Sequence, residues 1–92
     1  MPGGTADPPS PLERVIAREL RRLLASQDRS QADLARASGV PESAVSRTLG
    51  GQRSIRMVDY IKLCEALHVA PGTLMALAEA RLHEFGELEP QA

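Results

Sequence analysis

The sequence predicts an all-α domain of five helices. Apolar residues recur at helical spacing in five segments, and no segment shows the period of two that is typical of a strand. Aromatic residues make up only 2% of the 92 residues, and Val and Ile are few beside Leu and Ala, so the core must be aliphatic. A chain of this length forms one small domain that needs a compact core or a partner.

Three ranges divide the chain. We expect residues 1–10, which are rich in Pro and Gly, to be a disordered tail, residues 11–85 to be the folded domain, and residues 86–92 to be an acidic tail. The N-terminus lacks the basic and apolar regions of a signal peptide, and no apolar run approaches the length of a membrane span. With a single cysteine as well, we expect a cytoplasmic protein without membrane contact.

Helices 1 and 2 have clear boundaries. Helix 1 is predicted over about residues 11–26, because Pro11 suits a first turn and Leu or Ile recurs at helical spacing behind it. Helix 2 opens with a capping box formed by Ser30 and Asp33. It ends before Gly39, since glycine readily adopts the left-handed conformation. The apolar stripe of helix 1 consists of Leu12, Ile16, Leu20, Leu23 and Leu24.

Helix 3 is short and lies between Pro41, whose φ suits a helix start, and the pair Gly50-Gly51, which stops it. We predict its inward side as Val45, Thr48 and Leu49.

Helices 4 and 5 are predicted from their apolar stripes. Ser54 is a plausible cap for helix 4, and Pro71 opens helix 5. The buried stripe of helix 4 is predicted as Met57, Ile61, Cys64 and Leu67, with Tyr60 and Leu63 beside it. The stripe of helix 5 is predicted as Leu74, Leu77, Ala78 and Leu82, with Phe85 as its next position.

The connection between helices 2 and 3 is so short that the two helices must cross steeply, as in a helix-turn-helix. Such a crossing needs a small residue where the helices touch, a turn residue that tolerates positive φ, and an apolar side chain on the second helix that points toward the first. Ala35, Gly39 and Val45 have these properties, in that order. Helix 3 then presents short side chains and an arginine outward, which suits a DNA major groove. The alternative is a solvated helix face on an ordinary bundle. The outward residues are Ser43, Ser46, Arg47 and Gly50.

Charge is distributed unevenly although the net charge is only −1. Residues 14–56 hold nine arginines and four acids, whereas residues 57–92 hold two basic residues and six acids. This asymmetry favours one face that binds a polyanion, although a chance distribution over a solvated surface would give the same totals.

Residues 30–69, and more loosely residues 12–85, resemble the phage lambda repressor and Cro-like (XRE-type) helix-turn-helix DNA-binding family. The resemblance implies a five-helix lambda-repressor-like domain whose helix 3 binds double-stranded DNA. The residues that carry it are Ser30-Gln31, Leu34-Ala35, Gly39-Val40, Val45-Ser46-Arg47, Gly51-Gln52-Arg53 and the run IKLCEALHV in helix 4.

The resemblance also implies roles for single residues. Glu42, Ser43 and Arg47 match base-reading positions, while Gln31, Ser46 and Arg53 match contacts to the DNA backbone. Helix 5 matches the element that often dimerises such domains. Arg14 and Arg56 are further candidates to neutralise phosphates. The stripe Leu74, Leu77, Ala78 and Leu82 would form the dimer interface if partly exposed, or ordinary core if buried.

Two positions depart from the family pattern. Pro41 stands where a capping Ser or Thr is usual, and Glu42 is acidic at a DNA-facing position. Glu42 could accept from cytosine N4, repel a phosphate, or favour the helix dipole. Arg47 could read a guanine or contact a phosphate.

The function predicted from these features is sequence-specific DNA binding as a homodimer, in a transcriptional repressor or regulator. An antitoxin-type module that binds a small protein toxin and controls its own operon is the alternative, as is a DNA-binding accessory without a regulatory role. We expect no catalysis, cofactor or metal. Cys64, His68 and His83 have spacing that could hold a metal, but Cys64 falls on the predicted buried stripe, where free cysteine acts as a small apolar residue.

Overall fold

The computed structural model describes residues 8–84, which contain five α-helices and no strand. The all-α prediction is therefore confirmed for this part of the chain. The predicted acidic tail, Phe85 and residues 1–7 lie outside the described residues. The helices are α1 (Pro11–Ser26), α2 (Gln31–Ser38), α3 (Glu42–Leu49), α4 (Met57–Ala66) and α5 (Pro71–Glu84).

A capping box that the sequence analysis missed begins α1. The N–H of Glu13 donates to Ser10 Oγ at 3.1 Å, and the N–H of Ser10 donates to Glu13 Oε1 at 2.8 Å. Ser10, which we had placed in the N-terminal tail, thus serves as the cap of the first helix. The other carboxylate oxygen of Glu13 accepts from the N–H of Ile55 at 2.7 Å and joins α1 to the loop before α4. Burial alone would raise the pKa of Glu13, but the N–H groups of Ser10 and Ile55 outweigh it and lower the pKa.

Glu13→Gln is expected to lower the free energy of unfolding by about 1 kcal/mol at pH 7, because charged acceptors form the stronger hydrogen bonds. A lowered native pKa means that the carboxylate stabilises the fold above its unfolded pKa and stops doing so as pH falls through the native value. The difference in the free energy of unfolding between Glu13→Gln and the unsubstituted chain should therefore become smaller as pH falls from about 5 to about 3. Urea unfolding followed by circular dichroism measures this, with exposed Glu79→Gln as control. A difference that does not change with pH would contradict it.

Both ends of α2 are formed by the residues predicted from the sequence. Ser30 and Asp33 form the expected capping box, with the N–H of Asp33 donating to Ser30 Oγ at 3.0 Å. The hydrogen bonds from Ser30 lower the pKa of Asp33. Gly39 ends α2 with φ of 79° and donates its N–H to the Ala35 carbonyl at 2.9 Å. Both boundary predictions are confirmed.

Gly39→Ala is expected to lower the free energy of unfolding by about 1 kcal/mol, because a Cβ makes the left-handed conformation costly. A Cβ at this position would meet no atom within 4 Å, so backbone strain alone sets the cost. Gly39→Asn should cost less, since asparagine tolerates positive φ better. Urea unfolding of the two variants tests this order. Equal stability of the alanine variant and the unsubstituted chain would contradict it.

The core lies where α1 packs against α3 and α5, and where α4 packs against α2 and α5. It is aliphatic as predicted, with Tyr60 as its one aromatic member among the described residues. Its fully buried large side chains include Val15, Leu20, Leu34, Val40, Val45, Leu49, Leu63, Leu67 and Leu74.

Two predictions for α4 are wrong. Ser54 does not cap it, because the helix starts at Met57, after Arg56, and no side chain caps it. Met57 and Ile61 are not buried: their side chains are 67% and 39% exposed. The helix is rotated so that the buried stripe consists of Tyr60, Leu63, Cys64 and Leu67.

Polar contacts of loops hold the ends of α4. Arg29 donates to the Ala66 carbonyl at 2.7 Å, and Gln27 donates to the Leu67 carbonyl at 2.8 Å, so the α1–α2 loop closes the C-terminus of α4. The Tyr60 hydroxyl donates to the Pro71 carbonyl at 2.6 Å, and burial raises the pKa of this phenol. These contacts tie α4 to the α1–α2 loop and to the start of α5.

Across residues 8–84 no single helix is long and apolar enough to cross a membrane. Within these residues, only α4 and α5 taken together are long and apolar enough for a span, and the two helices are bent by 104° at their junction.

Candidate nucleic-acid interface

Helix α3 has a buried side and an exposed side, as predicted. Val45, Thr48 and Leu49 have at most 3% of their surface exposed and pack into the core. The opposite side is accessible to solvent along the whole length of the helix. Its exposed residues are Glu42, Ser43, Ser46 and Arg47.

The loop that leads into α3 fixes its start. Val40 is buried, and its N–H donates to Ser38 Oγ at 3.1 Å. The Pro41 carbonyl accepts from the N–H groups of Ala44 and Val45 at 2.9 and 3.0 Å. No side chain caps α3, so its first amides remain available to an acceptor outside the chain, such as a phosphate.

The three residues predicted to read bases lie along this exposed side. Glu42 and Ser43 are in the first turn of α3, and Arg47 is in its last turn, about 7 Å further along the helix axis. The Arg47 side chain makes no hydrogen bond or ion pair within residues 8–84, so its guanidinium is available to an external acceptor. Base reading by these residues remains a prediction.

The predicted phosphate contacts surround α3 in sequence. Gln31 is half-buried at the first position of α2, where helix amides also point outward. Arg53 is half-buried in the α3–α4 loop, and Arg56 is exposed just before α4. Arg14 is exposed on α1 and donates to the Pro9 carbonyl at 3.1 Å. Ser46 is exposed between the base-reading positions.

Several of the nine arginines in residues 14–56 are engaged by the fold. Arg29 caps α4 as described above, Arg36 pairs with the Asp33 carboxylate, and Arg22 lies 3.9 Å from the Glu19 carboxylate. Arg21 is engaged as well, because it donates to the Leu49 carbonyl. The basic surface beside α3 therefore rests mainly on Arg47, Arg53 and Arg56.

A second basic element lies on α1, and only Arg14 of its three arginines was predicted from the sequence. Arg18 and Arg21 join Arg14 in lining an open groove of about 480 Å³ whose other wall is Gly50-Gly51, directly after α3. We call these five residues the α1 arginine groove. Their spacing of four and three residues was a signal in the sequence, since it places all three arginines on one helix face.

A helix-turn-helix domain model matches residues 15–78, a range that includes α2, α3 and the turn between them. The chain belongs to the helix-turn-helix family. This confirms the resemblance drawn from the sequence, and the family supports DNA binding and transcription regulation.

A solved structure agrees with this assignment. The domain is similar to the restriction-modification controller protein C.AhdI from Aeromonas hydrophila, with 35% sequence identity and a TM-score of 0.62. The match covers 68% of this chain and 94% of the controller protein. No curated protein sequence matches the chain.

Most of the predicted dimer stripe of this helix-turn-helix domain lies in its own core. Leu74, Ala78 and Leu82 are at most 4% exposed and pack inside the chain, so they have almost no surface to offer a second copy. Only Leu77 is accessible, at 39%. The assignment of the other three to a dimer surface is therefore corrected to core. A larger apolar surface lies on α4, where Met57, Val58 and Ile61 are 67%, 55% and 39% exposed.

The residues with metal-ligand spacing are not brought together in the domain. Cys64 is fully buried, and burial raises the pKa of its thiol, which disfavours the thiolate that a metal would need. His68 is exposed in the turn after α4, and His83 is exposed on α5. Within residues 8–84, no group of three His, Cys, Asp or Glu could hold a metal ion.

Proposed function

We propose that the domain binds double-stranded DNA sequence-specifically, as a homodimer, and regulates transcription from the bound site. The observation that carries this is the exposed side of α3, opposite buried Val45 and Leu49 and anchored by the corner at Gly39. A helix of about 10–12 Å diameter fits a major groove of about 12 Å, and short side chains let it approach the base edges.

Residue roles follow from position and chemistry. Arg47 would donate two hydrogen bonds to guanine O6 and N7, and Ser43 would contact a neighbouring base edge. Glu42 would accept from cytosine N4. Gln31, Ser46, Arg53, Arg56 and Arg14 would bind the backbone, which gives affinity and orientation but little sequence preference.

The homodimer is supported by an exposed apolar surface as well as by the needs of recognition. Met57, Val58 and Ile61 lie within little more than one turn of α4 and would be shielded from water by a second copy. Two domains related by a two-fold axis would place their α3 helices about 34 Å apart, which requires a palindromic site with half-sites roughly 10 base pairs apart. A single domain would contact few base pairs and discriminate poorly.

The proposed regulatory role is repression, because a bound domain can block a promoter without any further activity. The similarity to a restriction-modification controller protein suggests control of a neighbouring gene set of that kind. This function would place the protein with the DNA in the cytoplasm.

Selection of bound duplexes from a random library tests the proposal. We expect an enriched inverted repeat, and the purified duplex should bind about a thousandfold more tightly than a scrambled one at physiological salt. The half-site, its symmetry and its spacing come from the same experiment. Failure to enrich any sequence, with equal binding to selected and scrambled duplexes, would overturn the proposal.

A further inference from the structure

One row of residues on α1 contacts both ends of the segment that follows the recognition helix. Glu13, Ala17 and Arg21 are spaced by four residues, so they lie along one face of α1 over about 12 Å of its axis. We call these three residues the α1 brace. The segment that they contact begins at Leu49, the last residue of α3, and ends at Ile55, two residues before α4 begins.

Two side chains of the brace, one basic and one acidic, hold the two ends of this segment by hydrogen bonds. Arg21 Nη1 donates to the Leu49 carbonyl, where a positive charge also suits the negative end of the α3 dipole. The Glu13 carboxylate accepts from the N–H of Ile55 at 2.7 Å. Both bonds join a charged side chain to a backbone group, which is the stronger class of hydrogen bond. The segment therefore runs back along α1 and is tied to it at each end.

The middle of the brace leaves room for the turn that ends α3. Gly51 has φ of 66°, and a Cβ built on it would lie 3.8 Å from the Cβ of fully buried Ala17. The N–H groups of Gly51 and Gln52 donate to the carbonyls of Thr48 and Arg47 at 3.2 and 3.3 Å, which is the pattern of a Schellman motif. The turn thus satisfies two of the last carbonyls of α3, and the brace satisfies a third.

The braced segment carries one of the residues proposed to bind DNA. Arg53 lies two residues before Ile55 and is half-buried, and its side chain makes no hydrogen bond or ion pair within residues 8–84. The position of Arg53 is therefore set by the backbone of the segment and not by contacts of its own side chain.

Holding the segment affects DNA binding because ordering a chain costs entropy. A loop that is loose in the free protein must lose backbone freedom when its arginine meets a phosphate, and this cost is subtracted from the affinity. A segment that is tied at both ends has already lost that freedom on folding. The brace should therefore strengthen binding without touching the DNA.

We propose that Glu13 and Arg21 are positioning residues for DNA binding, because they hold the segment in the form that presents Arg53 to the DNA backbone. This inference rests on the proposed function. It gives a favourable role in binding to an acidic side chain, whose charge alone would oppose the approach of a polyanion.

Glu13→Ala gives the first test, because its two effects on DNA binding have opposite signs. Loss of a negative charge favours binding to a polyanion, whereas loss of the brace weakens it. We expect about fivefold weaker binding to the selected duplex, measured by fluorescence anisotropy where circular dichroism shows a folded variant. Ser10→Ala is the matched control, since it breaks the same capping box but leaves the hydrogen bond between Glu13 and Ile55. Its affinity for DNA should not change.

A double-mutant cycle gives the second test and separates positioning from a direct contact. Arg53→Ala should weaken binding about tenfold in the unsubstituted chain, but only about threefold or less in Arg21→Met, since a loose segment no longer presents Arg53. Arg21 is exposed, so its replacement should leave the chain folded. Arg22→Met is the matched control, because it removes the same charge from α1 and its nearest carboxylate is that of Glu19. In that background Arg53→Ala should still weaken binding about tenfold.

The outcomes that overturn the proposal are distinct. Glu13→Ala binding as tightly as the unsubstituted chain, or more tightly, overturns it. So does an equal effect of Arg53→Ala with and without Arg21→Met, since Arg21 would then act through its charge alone. An Arg53→Ala variant with full affinity also overturns it, because the segment would present no DNA contact. If Glu13→Ala is unfolded, the cycle on Arg21 decides alone. The proposed function survives these results and is overturned instead by equal binding of the unsubstituted chain to selected and scrambled duplexes.

Discussion

Arg47→Ala is expected to weaken binding to the selected duplex by about ten- to a hundredfold and to relax the preference at one position of each half-site. A bidentate arginine–guanine contact discriminates against the wrong base by about 1–3 kcal/mol, and alanine cannot replace either hydrogen bond. Arg47 is exposed, and its side chain makes no hydrogen bond or ion pair within residues 8–84. The variant should therefore unfold at the same urea concentration as the unsubstituted chain.

The measurement is a repeated selection with the variant, together with its affinities for the selected and scrambled duplexes. Arg36→Ala is a suitable control, because Arg36 is exposed on α2 and pairs with Asp33 outside the recognition helix. It should leave the selected sequence unchanged. If Arg47→Ala weakened binding equally to both duplexes and selected the same sequence, Arg47 would be a phosphate contact instead of a base reader.

The parts of the fold that could be predicted from sequence are those determined by neighbouring residues. Ser30 and Asp33 cap each other across three positions, and Gly39 ends α2 through its own backbone conformation. Helix α3 shows its predicted inward side because only one face of that short helix carries Val45 and Leu49. The exposed face, and with it the candidate DNA contact, followed from the same pattern.

The register of α4 could not be predicted in this way. Apolar residues occur almost all round that helix, so a stripe through Met57 and Ile61 and a stripe through Tyr60 and Leu63 both have helical spacing. Contacts distant in sequence decide between them. Tyr60 is buried where its hydroxyl reaches the Pro71 carbonyl, and this turns Met57 and Ile61 outward.

The roles of the single arginines could not be predicted from the sequence either. Sequence alone indicated an excess of positive charge in residues 14–56 but not which arginines support the fold. Arg29 reaches the Ala66 carbonyl across 37 residues, and Arg21 reaches the Leu49 carbonyl across 28. Such contacts depend on the finished packing of α1, α3 and α4. The spacing of the α1 arginines was visible in the sequence, but the glycine wall that completes the groove was not.

Ile61→Glu is expected to dissociate the proposed homodimer and to weaken binding to the selected duplex more than Arg47→Ala does. A carboxylate placed in an apolar interface without a partner costs about 3 kcal/mol, which corresponds to about a hundredfold weaker dimerisation. Each separated domain would retain one half-site and about half of the contacts. Sedimentation velocity measures the oligomeric state, and titration with the selected duplex measures the loss of affinity.

Leu77→Glu is the matched control, because Leu77 on α5 and Ile61 on α4 are both 39% exposed. The two variants introduce the same charge at equally accessible leucine-sized positions, so a difference between them reflects which surface meets the partner. Dissociation by Ile61→Glu alone would assign the interface to α4. Dissociation by Leu77→Glu alone would return it to α5, where the sequence pattern had first placed it. An unsubstituted chain that is monomeric at micromolar concentration, and binds a single half-site as tightly as the full repeat, would remove the homodimer from the proposal.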